Sequence, residues 1–200
     1  MTPSTLTTHS NLLQTQAAAI LSRLRLFPLW GAQGGQPVLV GAQACGLVLA
    51  PDIDMDIFFD APTIAQGFEV LSACAGTPGV RSCRFHNKIA GPDRGYYWRV
   101  DYQADDGTLW KVDMWSMAHD HLGPTGRDMI EPMRRALNDE KRKTILHLKA
   151  ALRDDPTFSC PSIYIYQAVL SAGISDLAAL KAWLEVRDTT AINDWRAWLK

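Results

Sequence analysis

The sequence predicts an α+β fold, a mixed-sheet core followed by a C-terminal helical bundle. Three observations predict it. Short apolar runs bounded by turn residues recur between Val38 and Ser116, which is the pattern of strands. Two of those runs flank Ala104-Asp105-Asp106-Gly107, and Asp-Gly is a strong hairpin signal. From Glu131 onward the texture changes to long charged stretches of helical composition, broken at Gly173 and Asp188. The expected division is an α/β unit over residues 1–130 and a helical unit over residues 131–200.

Taken in order, Ser10 caps a helix over residues 10–26, with Leu12, Leu13, Ala19, Ile20, Leu21 and Leu24 as its apolar stripe. Phe27-Pro28 closes it, because the residue before a proline is pushed out of the helical region. The glycine-rich residues 30–36 read as a loop. Val38, Leu39 and Val40 form a short buried strand ending at Gly41, and residues 53–59 form a second. Pro62 and Thr63 start a helix to about Cys74. Strands follow over residues 80–89, 96–103 and 108–116, then a loop holding His119, His121, Gly123, Pro124 and Gly126. Helices are expected over residues 131–153, 161–172, 175–186 and 192–199. No internal repeat or low-complexity segment interrupts this order.

A chain of 200 residues, 47% hydrophobic and 20% charged, is long enough to bury a sizeable core in one domain, or one domain with a small appendage. The net charge of -1 gives no support to bulk electrostatic binding of nucleic acid, though it leaves room for a local basic patch. Cys45, Cys74, Cys83 and Cys160 stand in no metal-ligand spacing and are expected to be reduced and mostly buried. With no basic-then-apolar leader and no run of about 20 apolar residues, a soluble cytoplasmic protein with no membrane partner is expected.

Function turns on the run from Val38 to Phe59. Asp52, Asp54 and Asp56 alternate with Ile53, Met55 and Ile57. Side chains alternate along a strand, so the acids share one face and the apolar residues the other. Residues two apart lie about 6.6 Å apart between Cα atoms, and carboxylates that close repel unless a cation or water stands between them. A hard divalent cation such as Mg²⁺ suits the role, held by one or two carboxylates with phosphate oxygens and water. Solvent-facing edge strands also carry acids. This run, however, follows a glycine turn after a buried strand and continues into Ile57, Phe58 and Phe59. A further aspartate, Asp113, stands among Val112, Met114 and Trp115. A carboxylate buried there without a partner is expensive, and a metal shared with Asp52 and Asp54 resolves both costs.

A strand, Gly41, a short helical turn, an Asp-x-Asp strand and a later strand with a third Asp together resemble the nucleotidyltransferase superfamily of the DNA polymerase β type, over roughly Val38 to Trp115. In that family a glycine followed by serine or glycine precedes the acidic pair. Here Gly41-Ala42 is followed by nine residues and then Asp52-Ile53-Asp54. Asp54-Met55-Asp56, eleven residues after Ala42, also fits. The first pair is preferred because it begins just after Pro51, which leaves Asp56 further along the same face as an additional metal-side or substrate contact. Ala42 departs from the family, which has a small hydroxyl or glycine there. Backbone N–H groups of the turn and the Gln43 side chain are then the remaining donors to phosphate.

The resemblance implies two Mg²⁺ ions and a nucleoside triphosphate, with Asp52, Asp54 and Asp113 as metal ligands and Asp113 also as general base. It implies that Gly41, Ala42, Gln43 and Lys111 attend the phosphates, Lys111 because it shares the face of Asp113. Lys141, Arg142 and Lys143 belong either to a helix closing over the cleft or to a solvated face. His119, Asp120 and His121 read as a surface loop, with contact to substrate near the cleft and metal ligation as alternatives. Trp98, Trp110 and Trp115 read as core packing, with stacking on a nucleobase as the alternative. Tyr164 and Tyr166, two apart on a helix, are expected to face different ways, and Trp183, Trp195 and Trp198 to pack the terminal helices. The expected activity is Mg²⁺-dependent transfer of a nucleoside monophosphate to a hydroxyl of a small molecule or protein. The alternative is a catalytically degenerate binding or regulatory protein of the same fold, such as a toxin–antitoxin or stress-system partner. Addition of nucleotides to an RNA end is a third reading, disfavoured by net charge and by the lack of a recognisable RNA module.

Overall fold

The computed structural model describes residues 3–155, 158–190, 193 and 195. Five strands, β1 (Gln36–Val40), β2 (Asp52–Phe59), β3 (Val80–Asn87), β4 (Tyr96–Gln103) and β5 (Leu109–Ala118), form one sheet in the order β1-β2-β5-β4-β3. Only the β2–β5 pair is parallel; the others are antiparallel. The β4–β5 hairpin closes where expected, with Ala104 N–H donating to Thr108 O at 2.9 Å. The expected α+β architecture is the one observed.

Helices α1 (Pro3–Arg23), α2 (Leu26–Ala32) and α4 (Ile64–Ala75) pack on one face of the sheet. There Ile53, Met55 and Ile57 of β2, Trp98 and Val100 of β4, and Val112 and Met114 of β5 form the larger core with Ala17, Leu24 and Trp30. Each Ile, Val, Leu or Met side chain among them contributes about 1.5–3 kcal/mol on full burial. Thr63 caps α4 through a reciprocal pair with Gln66. A second core joins Leu47 to α5 (Gly126–Ala136), α6 (Asp139–Arg153), α7 (Ser162–Ala172) and α8 (Leu177–Glu185). Trp195 is buried in it, while the expected helix over residues 192–199, with Trp198, lies outside the described residues apart from Asn193 and Trp195. No single helix among the described residues is long and apolar enough to cross a membrane.

Several boundaries differ from the sequence reading, each for a physical reason. Ser10 does not cap α1; it is fully buried inside it and donates Oγ–H to Gly46 O at 3.2 Å. Pro3 starts the helix instead, a position where a missing N–H costs nothing. Leu12 and Ala19 of the expected stripe face outward. The chain breaks at Arg25, whose φ is 53°, and Pro28 then sits in the first turn of α2, where no intrahelical donor is needed. The expected loop is thus helical to Ala32, and Trp30 is fully buried. The long charged helix is two helices: Leu137 is extended, and Asn138 caps α6 by accepting from Lys141 N–H at 2.8 Å.

Candidate functional site

The parallel pairing of β2 with β5 sets Asp54 beside Asp113, Asp52 beside Lys111 and Asp56 beside Trp115. Because Ile53, Met55, Val112 and Met114 fill the core face, the acids and Lys111 emerge together on the opposite face. One carboxylate oxygen from each of Asp52, Asp54 and Asp113 lies within 4.8 Å of the others. Among the described residues these three form the metal-competent group; Asp56, His119, Asp120 and His121 do not join it.

The charges are held at a cost. Burial, then the neighbouring Asp52, Asp113 and Asp56, push the Asp54 carboxyl up to about 7. Burial also raises Asp52, against the pull of Lys111, whose Nζ lies 3.5 Å from Asp52 Oδ2. The other oxygen, Asp52 Oδ1, is buried with no hydrogen-bond partner. Asp113 Oδ1 accepts from the Tyr97 hydroxyl at 2.6 Å, with Arg99 Nε 3.9 Å away. An all-oxygen donor set with an orphaned buried carboxylate oxygen fits a hard divalent cation such as Mg²⁺.

Gly41 makes this packing possible. Its φ is +64°, and a Cβ there would overlap Asp54 Oδ2. It opens α3 (Gly41–Ala44), and Ala42 lines the adjoining cleft. Gln43 does not: its side-chain amide donates to Gln14 O of α1 at 3.1 Å, so its expected phosphate contact is replaced by a structural tie. Asp56 is also elsewhere. Fully within the fold, its Oδ2 accepts from Arg127 N–H at 3.1 Å at the N-terminus of α5, where a negative charge is favourable. Burial still lifts it to about 6, with the Arg127 and Gly126 N–H groups opposing. The strand rise carries Asp56 past the cluster, and its role here is to anchor α5 rather than to complete the acidic trio.

A cleft of about 460 Å³ opens beside Asp52 and Asp54. Its walls are largely apolar, from Met129, Ile130, Met133, Leu152, Phe158 and Ile163. Two cations of α6 line it, Lys149 and Arg153, and sequence reasoning missed both; the buried one is Lys149. Its Nζ donates to Leu47 O at 2.7 Å and to the Tyr166 hydroxyl at 3.2 Å. Burial lowers it to about 8, while Asp54 and Asp52 favour its charge. The available signal was a lysine inside the apolar run Ile145 to Leu152. The trio singled out instead does not line the cleft: Lys141 donates to Ala136 O at 3.1 Å, Arg142 to Gly46 O at 2.9 Å, and Lys143 is exposed. Tyr164 and Tyr166 are both buried, and only Tyr166 lines the cleft. His121 holds its loop, with Nε2 2.9 Å from Asp93 O, and His119 stacks on Phe58. Trp98 and Trp110 are core, but Trp115 is not; it stands on the acid face against Tyr97.

No family profile matches the sequence, and no curated protein matches it. Solved structures of similar fold do exist. The chain superposes on the Cid1 poly(U) polymerase with MgGTP bound at a TM-score of 0.61 and 14% identity, covering 84% of this chain and 54% of that one. It matches Cid1 in complex with the UTP analogue UMPNPP at 0.57 and 14%, over 84% and 53%. It matches a cytoplasmic RNA terminal U-transferase at 0.55 and 14%, over 84% and 54%. The chain therefore spans about half the length of the structures it resembles. At this identity the likeness is one of fold, and function must be argued from the site. The fold this chain carries is the one seen in the matched part of the Cid1 poly(U) polymerase.

Proposed function

We propose that the protein is a Mg²⁺-dependent nucleotidyltransferase that moves a nucleoside monophosphate from a nucleoside triphosphate to a hydroxyl group. The observation that carries this reading is the convergence of one carboxylate oxygen each from Asp52, Asp54 and Asp113, together with the buried, unpartnered Asp52 Oδ1. Those three residues would hold the divalent cation. Bound there, Mg²⁺ supplies charge neutralisation for the phosphates and the departing pyrophosphate.

The chain's own groups divide the remaining work. Lys149 presents a buried ammonium to the polyphosphate, beside the backbone of Ala42. The apolar cleft walls enclose the nucleoside and exclude water. Asp113 takes the acceptor's proton; Tyr97 holds its Oδ1 and so fixes the carboxylate plane. The acceptor oxygen bonds to the α-phosphorus, the bond to the β-phosphate bridge breaks, and pyrophosphate leaves. Net charge by itself favours a small molecule or protein as acceptor, unless positive charge is concentrated beside Asp113.

Turnover is tested by pyrophosphate release with Mg²⁺ and each triphosphate. Lys149→Met is expected to weaken triphosphate binding by about tenfold or more, the loss of one charge-assisted contact. Titration calorimetry with a non-hydrolysable analogue reads this directly; unchanged affinity would remove Lys149 from the site. The second reading, a degenerate binding protein, rests on Ala42, which lines the cleft at the position where the resemblance expects a small hydroxyl or glycine. Triphosphate binding without any transfer, together with a stable protein partner, favours it.

A further inference from the structure

Strand β3 ends the sheet, and among the described residues no strand pairs with its outer edge. The opposite edge, β1, is closed by other means: it is short, carries Pro37, and packs against α2 and α5. β3 has eight residues and no proline. A bulge at Arg81 leaves Ser82 to Asn87 as its regular edge. Lys88 N–H donates to Gly95 O at 3.0 Å, on the β4 side. Backbone groups alternate in direction along an antiparallel strand, so those of Ser82, Arg84 and His86 also face β4. Those of Cys83, Phe85 and Asn87 face outward. Such a row of unpaired N–H and C=O groups is a template for another strand.

The two faces of this edge differ in chemistry. On the helix side Phe85 stacks on Trp98, with centroids 4.5 Å apart, and Phe68 of α4 stands 5.2 Å from Phe85. Phe68 is 50% exposed, so an apolar shelf continues to the rim of the sheet. On the open side stand Arg81, Arg84, His86 and Lys88, and no acid lies between Val80 and Lys88. Charge on β4 and β5 offsets part of this. Arg84 and Arg99 share Asp101, and Asp113 lies 3.9 Å from Arg99, so those four balance. Arg81 is met by the neutral Gln103 at 2.8 Å, and neither it nor Lys88 makes an ion pair among the described residues. Two positive charges are left over along the edge. Charges can also guard an edge against pairing. Here Arg81 and Arg84 lean back over β4, to Gln103 and Asp101, rather than past the strand.

We propose that β3 is a docking edge for an extended segment of a partner protein, one whose residues alternate between apolar and acidic. The proposal goes beyond the nucleotidyltransferase reading, since β3 supplies none of the groups assigned to metal or nucleotide. A strand added there exchanges main-chain hydrogen bonds with Cys83, Phe85 and Asn87, and its alternate side chains give specificity. Residues directly opposite one another share a face. The segment's hydrogen-bonded residues therefore lie over the Phe68–Phe85 shelf and are apolar. Those between them meet Arg81, Arg84 and Lys88 and are acidic. A second copy of this chain is a poor occupant, because pairing β3 with β3 sets the cations of both copies on one face.

The probe is a labelled synthetic peptide alternating valine and glutamate, matched in length to β3, read by fluorescence anisotropy with the full chain. Saturable binding is expected. Methylating the valine nitrogens, which face β3, is expected to weaken binding by about tenfold or more. Methylating the glutamate nitrogens, which face away, is expected to leave it nearly unchanged. The double variant Arg81→Glu/Lys88→Glu, at two exposed positions, is expected to weaken binding by about fivefold or more with little change in melting temperature. In the complex, hydrogen exchange is expected to slow at the amides of Cys83, Phe85 and Asn87. No saturable binding of the peptide, equal binding of a valine–lysine peptide, or valine methylation without effect overturns the inference. So does a concentration-dependent dimer in sedimentation that Asn87→Pro abolishes, because the edge would then belong to a second copy.

Discussion

Asp54→Asn is expected to lower metal-dependent transfer by at least about 10²–10³-fold while raising the melting temperature of the metal-free protein. The two effects have one cause. Asp54 is desolvated and faces Asp52, Asp113 and Asp56, and its carboxyl is pushed up to about 7. The folded chain therefore holds its proton more tightly than the unfolded chain, where the carboxyl titrates near its ordinary value. Between about pH 4 and 7 the native state binds more protons, so stability falls as pH rises across that window and is flat above it. Asparagine keeps the shape and removes the charge, so the variant loses this decline. Scanning calorimetry from pH 5 to pH 8 measures it. A wild-type melting temperature that rises through that range, or a variant that melts lower at pH 8, would contradict the picture of a strained acidic cluster.

The second large effect is expected at Gly41, where alanine acts on backbone and site together. A left-handed conformation costs an L-residue about 1–2 kcal/mol, and here φ is +64°. The added Cβ would also overlap Asp54 Oδ2, so the carboxylate must move out of the trio. A melting temperature lower by roughly 2–8 °C is expected for a chain of this size, together with loss of Mg²⁺ binding. A variant that melts lower but binds Mg²⁺ as the wild type does would separate the two roles and show that Gly41 serves the turn alone.

The sequence made some of this legible and hid the rest, for reasons that differ by residue. The alternation of β2 and the buried neighbours of Asp113 were enough to place Asp52, Asp54 and Asp113 on one face, because period two is a local property of a strand. Strand β4 was read at its observed ends, Tyr96 and Gln103, since aromatic alternation meets an Asp-Gly turn there. What failed depended on distant packing. Gln43 turns away because α1 offers Gln14 O. Asp56 shares the strand face, but the N-terminus of α5 claims it. Lys149 looked like one more charge on a charged helix; only the arrival of Leu47 and Tyr166 makes it a buried cation. The break at Arg25 has no local signal, whereas Asn138 before Asp139-Glu140 was a readable cap that the long charge run obscured.

Binding of a divalent ion by the three aspartates is measured most directly by titrating the protein with Mg²⁺ and a non-hydrolysable triphosphate at pH 8 and pH 6. Since a metal must displace the proton that Asp54 holds up to about 7, affinity is expected to be clearly higher at pH 8, to weaken at pH 6, and to be lost in Asp54→Asn. Equal Mg²⁺ affinity in wild type and Asp54→Asn, or no binding at pH 8, would contradict it.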